Sequence, residues 1–384
     1  MKYRLYISLS LFAMTVSLSQ PAKAQRPITI EWSVATVLPA INGLQANPGV
    51  AGAFAGMVAQ KLVIAGGANF PGKMPWLGGR KNYCREVYLF EQVKGHWQSA
   101  GIDTLPQAVA YGASVQTAHG LLCIGGENEQ GITANVFLIG WSAAQQNITL
   151  KAMPSLPVPL TNAAAAIHSN RVYVAGGETG TGVSDKIYLL NMDAPAAGWA
   201  VLTTLPVRVS HAVLIAQGNS LYLAGGRKKN ANGISELYKT LWRYSLTTNE
   251  WTALQSLPYN LSAGTGIALQ QDKLLLLGGD KGHTFHTTEL SIAAINATTD
   301  AATKDSLNAQ KIQVQSTHPG FSNEVLQYNI STNEWISAGT IPYETPVTTA
   351  VVNCGKEIFI TSGEIKAGVR TPRILSGKIS SQKH

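Results

Sequence analysis

A Leu-Pro or Ile-Pro dipeptide recurs six times along this 384-residue chain, and each copy is followed by a Gly-Gly or Ser-Gly pair that ends a short apolar run. The dipeptides are Leu38-Pro39, Leu105-Pro106, Leu156-Pro157, Leu205-Pro206, Leu257-Pro258 and Ile341-Pro342. The pairs are Gly66-Gly67, Gly125-Gly126, Gly176-Gly177, Gly225-Gly226, Gly278-Gly279 and Ser362-Gly363. From the proline to the first residue of its pair the step is 19 residues in three copies, 20 in two and 27 in the first. A beat that regular marks repeated supersecondary units, which bury their apolar faces only by stacking or by closing into a ring.

The copy from Thr161 to Pro206 shows what one unit is. NAAAAIH reads as a small-residue strand, Ser169-Asn170 as a tight turn, RVYVAGG as a β-branched strand, KIYLLNM as a third strand, and Trp199 to Leu205 as a fourth. Four antiparallel strands make a propeller blade. The diglycine with the later Tyr188 and Trp199 resembles a kelch repeat, and the first glycines at 125, 176, 225 and 278 lie 51, 49 and 53 residues apart, close to the kelch period of about 50. The expected fold is all-β, a six-bladed kelch-type propeller.

The ends of the chain supply the closure. Glu31-Trp32 to Pro39 reads as a fourth strand with no first three, and Arg373 to Ile379 as a third strand with no fourth. Pairing them completes one blade and hides two edges that would otherwise invite aggregation. Residues 1–24 read as a secretory signal, with Lys2 and Arg4 ahead of an apolar stretch and Ala22-Lys23-Ala24 as the cleavage site. The expected mature chain, residues 25–384, is then a single propeller in the periplasm or outside the cell, with no membrane attachment after cleavage.

The formal charge of +8 falls to +5 (8 − 3) once Lys2, Arg4 and Lys23 are removed, and the remaining basic residues are scattered apart from Arg227-Lys228-Lys229. A nucleic-acid partner would need a basic stripe, so the balance favours small anionic molecules. Three cysteines, Cys84, Cys123 and Cys354, make no disulfide framework and no zinc spacing; no metal or cofactor is expected.

In a four-stranded meander, the loops after each Leu-Pro and each Gly-Gly share one face. The long insertions fall there: INGLQANPG after Pro39, ANFPGKMPWLGGRKNY after Gly67, and the stretch from Asp280 to about Ser322, whose Glu289–Gln313 portion is rich enough in helix formers to be partly helical, so that an insertion at about 283–320 is expected. Three insertions on one rim predict a walled pocket. Glu127, Glu178, Arg227, Asp280 and Glu364 directly follow the glycine pairs, while Ala68 does so in the first unit. Asn69, Phe70, Arg80 or Lys81, Tyr111, Asn162 and His211 are further candidates for lining that pocket.

GEIKAGVR, from Gly363 to Arg370, resembles the Gly-Glu-x-Lys-Pro-Gly-x-Arg stretch of the sialic acid mutarotases, the N-acetylneuraminate epimerase family of kelch propellers. GVAGAFAG from Gly49, GGANFPG from Gly66 and AYGASV from Ala110 resemble that family too. The glutamate segment usually precedes the GVAG segment, and here it follows, as in the cyclically permuted branch. Ala367 replaces the motif's proline, which loosens the loop and removes no reacting group.

The resemblance implies Glu364 as proton acceptor and Arg370 as its partner in binding and charge stabilisation, acting on the anomeric centre of a 2-keto sugar acid. It leaves the general acid open among Tyr111, Asn162, His211, His283, His286, His318 and water. Two rival enzymes fit less well: a sialidase would carry Asp-box turns, absent here, and a copper oxidase would rest on the Tyr83-Cys84 pair alone. A kelch-type module that binds a glycan or protein without catalysis is the alternative outside enzymology.

Overall fold

The computed structural model describes residues 27–380 except 42 and 271; the expected signal segment lies outside them. Six antiparallel four-stranded sheets are arranged as the blades of a propeller. Their innermost strands are Phe54–Val58, Ala113–Thr117, Ala164–His168, Val213–Gln217, Thr265–Leu269 and Ala350–Cys354, and neighbours among them pack around the axis. Blade 6 is closed by the N-terminal strand Thr29–Val37, which runs antiparallel to Val369–Ser380 with Thr29 opposite Ser380 and Val37 opposite Arg373. The first and last described strands thus share one sheet.

The leucine or isoleucine of each dipeptide follows an outermost strand by one to three residues and turns into the seam with the next blade. Leu38, Leu105, Leu156, Leu205, Leu257 and Ile341 are all at most 5% exposed, and each lies in a different one of six apolar clusters, one per seam. Burying such a side chain contributes roughly 1.5–3 kcal/mol. The backbone repeats the arrangement: the N–H of every one of the six bonds a carbonyl in its own blade, as from Leu105 to Arg85 at 2.7 Å and from Leu205 to Asp185 at 2.7 Å.

The glycine pair exists because the next blade's backbone passes against it. A Cβ at Gly176 (φ +64°) would sit 2.1 Å from the Val209 carbonyl oxygen, and one at Gly225 would sit 2.2 Å from that of Leu261. Blade 6 alone departs, with Ser362 at φ +52°. There the side chain takes over the seam: Oγ accepts the Val50 N–H at 3.0 Å and donates toward the Thr371 carbonyl at 2.6 Å. The closing blade is tied to blade 1 by a hydroxyl.

Just ahead of the inner strands, Gly52, Tyr111, Asn162, His211, Ala263 and Thr348 all adopt left-handed conformations, with φ between +47° and +68°. The N–H of each donates to the carbonyl of its counterpart in the preceding blade at 2.7–3.0 Å, and the Gly52 N–H closes the circuit on Thr348. This six-membered ring forms a waist, with an axial channel of about 200 Å³ on one side and a wider cavity on the other.

The insertion in blade 5 forms a helical hairpin, α1 at His283–Ala297 and α2 at Ala301–Ser316, so helix runs beyond both ends of the Glu289–Gln313 stretch singled out by composition. Asp300 caps α2 by accepting the Thr303 N–H at 2.8 Å. α2 packs on the short turn Pro75–Leu77 of the blade 1 insertion, so the two insertions meet over the cavity.

Replacing Ser362 by alanine leaves the buried Val50 N–H without its acceptor. The expected loss is about 1–3 kcal/mol, read as a lower urea midpoint; an unchanged midpoint would show that the hydroxyl does not hold the seam.

Candidate functional site

The cavity above the waist has a volume of about 470 Å³. Its wall carries all five ionisable residues that follow the glycine pairs: Glu127, Glu178, Arg227, Asp280 and Glu364. Each sits in an isolated antiparallel bridge to the residue just before a waist position, as Glu127 does with Ala110 and Glu364 with Val347. Blade geometry therefore repeats one backbone site six times and varies only the side chain.

Glu364 and Arg370 face each other across the hairpin between Glu357–Lys366 and Val369–Ser380. Arg370 Nη1 stands 3.1 Å from Glu364 Oε2, while Glu364 Oε1 accepts the Gly368 N–H at 2.8 Å. Nη1 has no hydrogen bond of good alignment even so, which makes the contact chiefly electrostatic. The guanidinium is 4% exposed, against 20% for the carboxylate, and packs 5.2 Å from the Phe70 ring. Its Nε and Nη2 lie 3.4 Å from the Ala68 carbonyl and the Tyr111 hydroxyl. Pro75 and Trp76 press on the hairpin tip, where a Cβ at Gly368 would meet the proline ring at 2.6 Å.

Tyr111 belongs to the waist and to this cluster at once. Burial raises its phenol above the ordinary range, although Arg370 and Lys81 oppose the shift, so it keeps its proton at neutral pH. Lys81 Nζ lies 4.7 Å from the Tyr111 ring centre and 3.0 Å from Glu127 Oε1, which also accepts the Tyr83 hydroxyl at 2.8 Å. Burial, with the Glu127 bond next, pushes the Tyr83 phenol up to about 12.

A second cluster occupies the wall of blades 3 to 5. Arg227 Nη2 lies 3.1 Å from His211 Nε2. Because a guanidinium only donates, Nε2 accepts and the imidazole proton sits on Nδ1, 3.2 Å from Ser210 Oγ and 3.5 Å from Glu178 Oε1. Ser210 in turn donates to Glu178 at 3.0 Å. Burial first, and the Arg227 charge second, hold His211 neutral, well below the usual imidazole range. The Arg227 guanidinium carbon stacks 4.1 Å from the Phe285 ring on α1. Burial raises the Asp280 carboxyl, which accepts the Gly282 N–H at 2.7 Å. His318 takes the Gly320 N–H on Nδ1 at 3.0 Å.

Of the residues expected at the pocket, Phe70, Lys81, Tyr111, Glu127, Asn162, Glu178, His211, Arg227, Glu364 and Arg370 line the cavity. Asn69 and Arg80 are outside that lining. Asn69 is buried behind the wall, donating to the Gly49 carbonyl at 3.1 Å, and Arg80 is exposed. His318 lines the cavity, whereas His283 and His286 are outside its lining. Sequence reasoning missed Ser210 and Phe285. Only the unit-by-unit alignment could have flagged Ser210, which occupies the bridge position facing Arg227.

The family model for N-acetylneuraminate epimerase matches residues 19–148 and 153–384. An N-acetylneuraminate epimerase of Haemophilus influenzae (strain PittEE) is 31% identical over 230 residues, 60% of this chain and 60% of the relative. One of Escherichia coli O9:H4 (strain HS) is 29% identical over 247 residues, 63% of this chain and 64% of the relative, and one of Shigella sonnei (strain Ss046) is 29% identical over 226 residues, 58% and 59%. Each of these alignments spans about 60% of its relative's length. With a family model matching nearly the whole length and a six-bladed ring that presents the glutamate hairpin at its cavity, this chain belongs to the N-acetylneuraminate epimerase family.

Proposed function

We propose that the protein is a sialic acid mutarotase, interconverting the α and β anomers of N-acetylneuraminate. The observation that carries this reading is the Glu364–Arg370 pair, 3.1 Å apart beside the Tyr111 hydroxyl, on the wall of a cavity of about 470 Å³. That volume falls within the roughly 300–1,000 Å³ of small-molecule sites. Membership of the family and the names of the relatives support the substrate class.

Anomer exchange needs two coupled proton transfers and no other reactant. Glu364 takes the proton of the anomeric hydroxyl, and a general acid delivers one to the ring oxygen as the bond from that oxygen to the anomeric carbon breaks. The open form is a ketone. After rotation about the adjacent carbon–carbon bond, the freed hydroxyl attacks the opposite face, returning its proton to the acid while Glu364 protonates the new anomeric oxygen.

Tyr111 suits the acid's role. It is protonated at neutral pH, lines the cavity and lies 3.4 Å from Arg370 Nη2, which stabilises the phenolate as it forms. His211 suits it less, since its one proton is directed at Ser210 and Glu178. Arg370 orients the Glu364 carboxylate and offsets charge on both partners.

Glu364→Gln is expected to slow anomer exchange by about 10²–10⁴, measured by saturation-transfer NMR on the sugar acid, and to lower the melting temperature because the buried Arg370 loses its counterion. An unchanged rate with retained binding would instead favour a glycan-binding module. Tyr111→Phe should lower kcat by about 10²-fold and leave KM within a few-fold; a rate equal to that of the parent protein would remove Tyr111 from the mechanism. We further propose, from the sequence of residues 1–24 alone, that this segment is a cleaved leader and that the reaction takes place outside the cytoplasm; N-terminal sequencing of the exported protein is expected to start at Gln25, and retention of Met1 would exclude cleavage.

A further inference from the structure

Three basic side chains other than histidine line the cavity: Lys81, Arg227 and Arg370. Two of them are already neutralised. Lys81 is 3.0 Å from Glu127, and Arg370 is 3.1 Å from Glu364. Among the described residues, no carboxylate oxygen lies within 4.0 Å of the Arg227 guanidinium. Among the described residues its one side-chain hydrogen bond goes to the neutral His211, leaving Nε and Nη1 without a hydrogen-bond partner there.

Glu178, Asp280, Glu289 and Glu364 act on the buried guanidinium only from a distance, so its desolvation is offset by no contacting carboxylate, and an anion that docks on it recovers that cost. The planar fork matches a carboxylate bidentately. Arg227 is also held in place before any ligand arrives, stacked 4.1 Å from Phe285 and bonded at 3.1 Å to His211. It is the single basic side chain among the five ionisable residues that follow the glycine pairs; of the other four, Glu127 and Glu364 are spent on Lys81 and Arg370, and Glu178 and Asp280 are carboxyl groups that offer an anionic sugar no cation.

Taking the mutarotase reading as its premise, we infer that Arg227, on the blade 4 wall, anchors the carboxylate of the sugar acid, leaving Arg370 to serve Glu364 in proton transfer. The carboxylate is bonded directly to the anomeric carbon, so fixing it at one wall presents the anomeric hydroxyl to the base across the cavity. It also keeps that carbon in place while the ring is open. Phe285 belongs to α1, so the helical hairpin lies against the anchor and shields it from water.

The test compares N-acetylneuraminate with its neutral 1-carboxamide, which has the same shape without the charge, by calorimetric titration. The parent protein is expected to bind the acid at least tenfold more tightly than the amide. Arg227→Met should abolish that preference by weakening the acid alone, and Arg227→Lys, which keeps the charge and loses the fork, should retain part of it and guard against a folding defect in the methionine variant. If the preference survives in Arg227→Met and disappears in Arg370→Met, the anchor is Arg370; this assignment is then wrong and the mutarotase reading stands. If the parent protein binds neither compound, both fall together.

Discussion

The floor of the site is positioned by the closed circuit of backbone hydrogen bonds at the waist, in which Gly52, Tyr111, Asn162, His211, Ala263 and Thr348 each donate to the previous blade. Five of the six are not glycine, and a left-handed conformation costs an L-residue roughly 1–2 kcal/mol. The strain persists because surrounding strands over-determine it. Small residues follow at once, since a Cβ at Gly112 would meet the Phe54 ring at 2.4 Å. What the strain achieves is placement: each waist position stands at the boundary of channel and cavity, and the chain is free to put a phenol, an amide or an imidazole there.

Charge is divided between two walls. On the blade 6, 1 and 2 side, Glu364, Arg370, Tyr111, Lys81 and Glu127 form a compact set in which each cation has its own carboxylate. On the opposite side, the hydrogen-bond partner of Arg227 is a neutral imidazole, kept neutral first by burial and then by the guanidinium itself, whose contact leaves Nε2 no choice but to accept. One wall is thus self-contained and suited to moving protons. The other holds a guanidinium that no carboxylate touches, although Glu178 and Asp280 stand on the same wall.

The six blades and their order were legible in the Leu-Pro and diglycine spacing because both signals arise from seam packing, which every blade must satisfy, and the pairing of the terminal strands was legible in the incomplete units Glu31 to Pro39 and Arg373 to Ile379. The waist was not. Its six positions hold six different residue types, and backbone handedness enforced by neighbours leaves no common letter. Asn69 and Arg80 show a second limit. In the two-residue pairing of Ala68–Asn69 with Asn82–Tyr83, strand alternation turns the Asn69 side chain behind the wall while Tyr83, two residues from Lys81, reaches Glu127. The polarity of a four-stranded meander could place the insertion on the rim; which of alternating neighbours points inward depends on a register that only the folded loop fixes. Phe285 was hidden for a similar reason, its partner Arg227 being a blade away.

Ring closure and chemistry meet in the same seam. A ring can be opened at any blade without changing which segments touch, provided the cut ends pair again, and here they pair within blade 6, the blade that carries Glu364 and Arg370. The GVAG segment that opens blade 1 packs directly on that hairpin: a Cβ at Gly49 would fall 2.3 Å from the Thr371 carbonyl carbon, and the Val50 N–H bonds Ser362. Arg370, one residue before Thr371, reaches the Ala68 carbonyl in blade 1 at 3.4 Å. The hydroxyl of Ser362 therefore joins the seam two residues from the base and, through Thr371, beside the arginine. Placing the closure at this seam makes the geometry of the acid–guanidinium pair depend on the ring being shut, so an open ring would lose the site before it lost its blades.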